Sequence, residues 1–130
     1  MREKDLKLVV SDYLRYGKNQ GKWWFERLNS GVAYVKRGDK YYAIQLCETG
    51  TADFMVLKQV RQFVRWIDAR TYEKEVLVYC RVIFLELKGD KGKQRPEQKT
   101  FQGLVESKGA EYYIIRSIDE LESILTIKGE

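Results

Sequence analysis

Glu86 and Lys88 stand two positions apart at the end of an apolar run, Val82-Ile-Phe-Leu-Glu-Leu-Lys88, which leads into the polar segment Gly89–Gln98. A carboxylate and an amine held side by side can move protons, hold a cation or neutralise a phosphate. Spacing alone carries little, because an acid followed two places later by lysine occurs four times: Asp5/Lys7, Glu86/Lys88, Glu97/Lys99 and Glu106/Lys108. The other three pairs fall in expected helices, where positions i and i+2 point about 200° apart. Glu86 and Lys88 fall on an expected strand, whose period of two puts both on one face. That face also carries Val78, Cys80, Val82 and Phe84, while Ile83, Leu85 and Leu87 line the other. The strand is therefore apolar on both faces and turns charged on one face only. Fraying into water would change both faces together, so the switch points to a partly desolvated pair. For a single pair of this kind a structural salt bridge is the commoner explanation.

Two further residues bear on the choice. Asp53 opens the strand-like run Asp53–Gln59, just after the turn residues Gly50-Thr51-Ala52. If the stretches 53–59 and 76–88 pair antiparallel, Asp53 comes beside Glu86 and Lys88. Gln98 lies in the first turn of the next expected helix, whose buried face is marked by Phe101 and Val105, and can point back over the same place.

The elements that must position these groups follow from periodicity. Leu6, Val9, Val10, Tyr13 and Leu14 recur at helical spacing, which predicts an amphipathic helix over residues 2–16 closed by Gly17. Residues 23–50 are rich in aromatic and β-branched types and broken by Asn29-Ser30-Gly31 and Arg37-Gly38-Asp39, which predicts two or three strands. Val60, Phe63, Val64 and Ile67 have i, i+3, i+4, i+7 spacing, which favours a helix or helical turn, while their side-chain types also suit a long hairpin arm. A helix is expected from Pro96 to about Lys108, ended by Gly109, and a strand at Glu111–Arg116. Ser117-Ile-Asp-Glu120 reads as a capping box opening a last helix that buries Leu121, Ile124 and Leu125. The order implies one α/β domain over residues 1–130, with a mixed sheet flanked by helices.

The 130 residues contain 44% apolar and 33% charged residues, a globular composition, and no histidine. That absence removes Ser-His and Cys-His nucleophiles and the usual zinc sites. Hydrolytic chemistry must then rest on carboxylates, lysine and a hard cation such as Mg²⁺. Cys47 and Cys80 lie in apolar stretches and read as two reduced core thiols, which suits an intracellular protein. No apolar run is long enough to span a bilayer, and the charged start Met-Arg-Glu-Lys-Asp lacks a signal-peptide core. Residues 1–99 hold 21 basic and 13 acidic groups, against 3 and 6 in residues 100–130. A basic body suits a polyanionic partner, although a merely basic soluble protein is also common.

Asp, then Glu-x-Lys, then a helical Gln resembles the pattern of the PD-(D/E)xK nucleases. In detail the chain looks most like the VRR-NUC branch, which is similar in fold to archaeal Holliday-junction resolvases. The resemblance takes in Glu3 with Leu6, "NSG" at 29–31, "GTAD" at 50–53, "VIFLELKGDKGK" at 82–93, and Gln98, Phe101, Gly109 and Arg116. Ala52 stands where the family usually has Pro, and Arg95 where Ser often caps the helix. The interval from Asp53 to Glu86 is longer than usual, implying an insertion at about 59–75.

The resemblance implies a restriction-endonuclease-like core and a metal-dependent, structure-selective DNA endonuclease acting on branched DNA such as four-way junctions or flaps. It makes Asp53 and Glu86 the ligands of one or two Mg²⁺ ions, for which Mn²⁺ substitutes, with the Leu87 carbonyl as a further ligand and Glu3 as an outer one. For Glu3 an ordinary polar helix face is an equal alternative. Lys88 orients or activates water and counters charge on the phosphate, and Gln98 positions water or phosphate. Single-domain members of this kind imply a homodimer.

Phosphate contacts are expected from Lys91, Lys93, Arg95 and Lys99 in the segment 88–99, and from Lys58, Arg61 and Arg65 in a second basic stretch. Taken singly, each charge run is more often a solvated face. Gly89 and Gly92-Lys93 are too closely spaced for a Walker A loop, so no nucleotide cofactor is expected. Trp23-Trp24-Phe25 suits core or dimer packing better than base stacking. The alternative to an enzyme is a non-catalytic nucleic-acid-binding module of the same fold.

Overall fold

A computed structural model describes residues 1–126, and among these the chain forms three helices and six strands. Their order is α1 (Glu3–Asn19), β1 (Trp24–Arg27), β2 (Val32–Arg37), β3 (Lys40–Gln45), β4 (Phe54–Asp68), β5 (Glu73–Leu87), α2 (Pro96–Ser107), β6 (Glu111–Ile115) and α3 (Ile118–Leu125). Strands β1-β4-β5-β6 make a mixed sheet, antiparallel except for the parallel β5–β6 pair, and β2–β3 form a separate two-stranded hairpin.

The period of two along β5 sorts the layers. Ile83, Leu85 and Leu87 are fully buried with Leu6, Val10 and Leu14 of α1 and Leu121 and Leu125 of α3. On the opposite face Phe84 meets Phe101 of α2 edge to face, with ring centroids 5.2 Å apart. The sheet is thus flanked on both faces by helices, and the side chains of Glu86 and Lys88 fall on the α2 side.

Ser117 caps α3 by accepting from the Glu120 amide, and the Glu120 carboxylate accepts from Arg116 N–H rather than from the cap residue. Helix α1 does not stop at Gly17. It runs to Asn19, and Gly21 takes the left-handed conformation after the C-cap Gln20. Gly17 is instead a contact point, since a Cβ there would collide with the Trp23 indole, whose Nε1–H donates to Leu14 O at 2.8 Å. Trp23 and Phe25 therefore belong to the core, as their apolar surface suggests, and Trp24 is half exposed.

The helical spacing at 60–67 is overruled. Those residues continue β4, which pairs with β5 from Phe54↔Leu85 to Asp68↔Glu73. A partner strand of equal length satisfies every alternate backbone group, and β-branched and aromatic residues fit that pleated surface. The segment expected as an insertion is thus the far end of a hairpin and leaves the strand pairing at the site intact. Beyond Gln59 this hairpin leaves the sheet as a two-stranded arm. Cys80 lies on the arm and is exposed, and Cys47 is only half-buried, so the free thiols are not core residues.

Candidate active site

Antiparallel pairing of Phe54 with Leu85 brings Asp53 opposite Glu86 at the end of the sheet. Asp53 is locked in place: its N–H donates to Leu85 O at 2.9 Å, and its Oδ2 accepts from Leu87 N–H at 2.7 Å. In an antiparallel ladder a residue's N–H and C=O point to the same neighbouring strand, so the Leu87 carbonyl is directed past Asp53. Two backbone features support this corner. Gly50, at φ 98°, lies where a Cβ would strike the Glu97 backbone, which lets the first turn of α2 close over the loop before Asp53. A Cβ on Gly89 would lie 3.1 Å from the Glu3 amide, so its absence lets the start of α1 pack on the end of β5, and the Gly89 carbonyl accepts from Arg116 Nη1 at 2.7 Å, which ties that end to the residue after β6.

Glu86, Lys88 and Gln98 are 4%, 6% and 3% exposed. Lys88 Nζ lies 3.6 Å from Glu86 Oε1, and that oxygen also accepts from Gln98 Nε2 at 2.7 Å. Gln98 Oε1 accepts from the Arg95 amide at 2.8 Å, which supplies the helix cap that an arginine side chain, having no acceptor, cannot. One carboxamide therefore both caps α2 and grips the site carboxylate. Glu86 Oε2 is buried and has no hydrogen-bond partner. Burial pushes the Glu86 carboxyl up to about 7, the Asp53 carboxylate adds to the rise and the Lys88 ammonium opposes it.

Lys7 is the functional candidate that sequence reasoning missed. Its Nζ lies 3.5 Å from Asp53 Oδ1 and 3.6 Å from Glu3 Oε2, so α1 delivers both an acid and a tethered cation to the site. Its pairing two residues from Asp5 concealed it. The useful signal was the one-turn Glu3/Lys7 spacing at the helix start. Glu3 thus reaches Asp53 through Lys7.

The cationic residues divide by position. Lys91, Lys93, Arg95 and Lys99 are exposed beside the site, Arg95 with its Nε 3.4 Å from Glu97 Oε1. A cleft of about 560 Å³ runs between Arg2-Glu3 and Gly89–Gly92, and another of about 320 Å³ is lined by Glu3, Lys4, Lys7 and Arg27. Arg61 and Arg65 are exposed on the arm, Arg65 paired to Glu75 at 2.6 Å. Lys58 is buried, opposite Arg81 on β5, and is withdrawn from any surface phosphate.

A buried carboxylate oxygen lacking a partner beside a second carboxylate is what a hard divalent cation would satisfy, and Mg²⁺ needs only one or two protein carboxylates. Asp53, Glu86 and the Leu87 carbonyl fit that donor set. Among the described residues no group of three or more Asp, Glu, Cys or His side chains forms a metal cluster. No protein-family model matches the chain, and no curated protein or solved structure matches it at significant similarity.

Proposed function

We propose that the protein is a metal-dependent, structure-selective DNA endonuclease with a restriction-endonuclease-like core of the PD-(D/E)xK, VRR-NUC type. The observation that carries it is the convergence of Asp53, Glu86, Lys88 and Gln98 at one sheet end, with Glu86 Oε2 buried and unsatisfied.

Asp53, Glu86 and the Leu87 carbonyl would hold Mg²⁺ or Mn²⁺, with Glu3 further out. When bound, such an ion activates water at neutral pH and stabilises charge on a phosphoryl oxygen. The chain's own groups do the rest. Lys88, held by Glu86, presents an ammonium where a phosphate would gain negative charge. Gln98 fixes the Glu86 carboxylate so that Oε2 faces the site. Exposed Lys91, Lys93, Arg95 and Lys99 line the approach and contact the DNA backbone without reading its sequence.

The test is cleavage of labelled four-way junction, flap, single-stranded and duplex DNA with Mg²⁺ or Mn²⁺. Wild type is expected to cut a branched substrate, while Glu86→Ala and Lys88→Ala abolish cutting and leave DNA binding intact. The Lys7 ammonium held 3.5 Å from Asp53 Oδ1, where a cation would bind, favours a second reading, a non-catalytic binding module of the same fold. Binding without cleavage by pure wild type with either metal would establish that reading instead.

A further inference from the structure

We propose that the β2–β3 hairpin is a ribbon that binds unpaired bases of the DNA substrate, stacking them on Tyr34 and Tyr41. The inference deepens the nuclease reading and rests on it for the identity of the polyanion. Among the described residues, strands Val32–Arg37 and Lys40–Gln45 pair only with each other, and the ribbon reaches roughly 20 Å at the usual rise per residue. Its foot is fastened to the site. Asn29 O accepts from Cys47 N–H at 2.9 Å, and one residue earlier Leu28 N–H donates to the Asp53 carbonyl at 2.8 Å. The smaller cleft beside the site is walled by Lys7 and by Arg27, the residue before Leu28, and so joins the site to the foot of the ribbon.

A two-stranded hairpin is marginal in water without further packing, yet neither face of this one is covered. Apart from Ala33, every residue of its two strands is exposed. The register sorts the side chains. Directly paired residues share a face, so Tyr34/Ala43 and Lys36/Tyr41 stand on one face, and Ala33/Ile44 and Val35/Tyr42 on the other. Tyr34 and Tyr41 are 72% and 68% exposed, against 50% for Tyr42. Ala43 lies opposite Tyr34 and two residues from Tyr41, and its small side chain leaves the space between them open. Diagonal neighbours of this kind are about 7–8 Å apart, room for one flat base between two rings. Lys36 Nζ lies over the Tyr41 ring, 5.9 Å from its centroid, and brings a cation to the same face.

Charge selects a polyanion. Residues 32–45 carry Lys36, Arg37 and Lys40 against Asp39, a net of +2 gathered at the tip. A second copy of the ribbon would be repelled, whereas a phosphate backbone is held there while its bases reach the rings. The β4–β5 arm also leaves apolar side chains in water, Phe63, Trp66 and Ile67 among them. Its residues 61–80, however, carry four basic and three acidic groups, and Arg65 is already neutralised by Glu75. The ribbon, not the arm, combines aromatic surface with net charge. In a duplex the base faces are stacked on one another, so the rings select unpaired nucleotides, as at a flap or an opened junction, without reading their sequence.

Fluorescence anisotropy of labelled oligothymidylate and of a duplex of equal length, with chelator in place of metal, tests this on the full chain. Wild type is expected to bind the single strand. Tyr34→Ala and Tyr41→Ala should each weaken that binding about tenfold while duplex affinity stays within about twofold. A 2-aminopurine base in the strand should be quenched by wild type and by Tyr34→Phe, but not by Tyr34→Ala. Tyr42→Ala, on the opposite face, should change neither affinity. If an alanine variant fails to fold, Tyr34→Val keeps a strand-forming residue without a ring and is expected to show the same loss. A wild type that does not bind the single strand overturns the proposal, as does a folded Tyr34→Ala/Tyr41→Ala variant of unchanged single-strand affinity. Equal weakening on the duplex would make the tyrosines structural and overturn it too. So would a halved mass in that variant, which would assign the ribbon to a second copy. Tyr34-dependent binding by a protein that cuts no DNA with Mg²⁺ or Mn²⁺ would count against the nuclease site alone. Cleavage of branched DNA with single-strand binding indifferent to both tyrosines would count against the ribbon alone.

Discussion

Glu86 is held by its surroundings in a state that favours the proton. Its folded pKa, raised to about 7 from 4.5, means that the native state binds that proton more tightly than the unfolded chain. The stability it contributes is fully present below the unfolded value and is lost as pH rises through the folded one. Metal-free wild type should therefore lose on the order of 2 kcal/mol relative to Glu86→Gln between about pH 4 and about pH 8, since glutamine keeps the acceptor for Gln98 but cannot ionise. Urea unfolding of both proteins with chelator present measures the difference, and parallel pH profiles would refute it. Lys7 carries a second prediction. Its ammonium occupies the space between Asp53 and Glu3 that a divalent cation would share. In Lys7→Met the half-saturating Mn²⁺ concentration for thermal stabilisation should fall about fivefold at a pH where Glu86 is ionised, a loss of about 1 kcal/mol of competing ion pairing. An unchanged midpoint would show that Lys7 does not occupy the cation's place.

At the scale of elements, what was legible in the sequence is what local chemistry decides. Pro96 starts α2, Ser117 caps α3, and the one-sided switch on β5 placed Glu86 and Lys88 on a shared face. The errors occur where a distant segment decides. Val60, Phe63, Val64 and Ile67 satisfy a helical template, but residues 73–80 offer a matching strand, and pairing outweighs weak local preference. Gly17 has the look of a helix end, but the Trp23 ring needs its missing Cβ. Lys58 counted toward a basic stretch because a charge run ignores which face of a strand each residue takes. Lys7 escaped notice because its partner Asp53 is brought to it by the fold, 46 positions along the chain.

For the whole molecule the charge distribution gives a measurable quantity. Under the proposed function, the exposed cations beside the site would act on a phosphate backbone by releasing condensed counterions. Substituting Lys91 and Lys93 by alanine should lower the slope of log K against log salt by about 1 per residue, whatever the DNA sequence. Anisotropy titrations across a salt series read this directly, and an unchanged slope would remove the loop from the interface.

The hairpin that carries the arm also fixes the register at the site. Its closing turn at Ala69–Tyr72, with Tyr72 in the left-handed region at φ 59°, joins neighbours in the chain, so the ladder from there to the site needs no long loop to close. The distance from turn to site works as a count: one residue lost from a single strand, unless absorbed at a bulge, turns Glu86 to the other face. The same length that leaves apolar side chains in water thus meters the register of the two carboxylates.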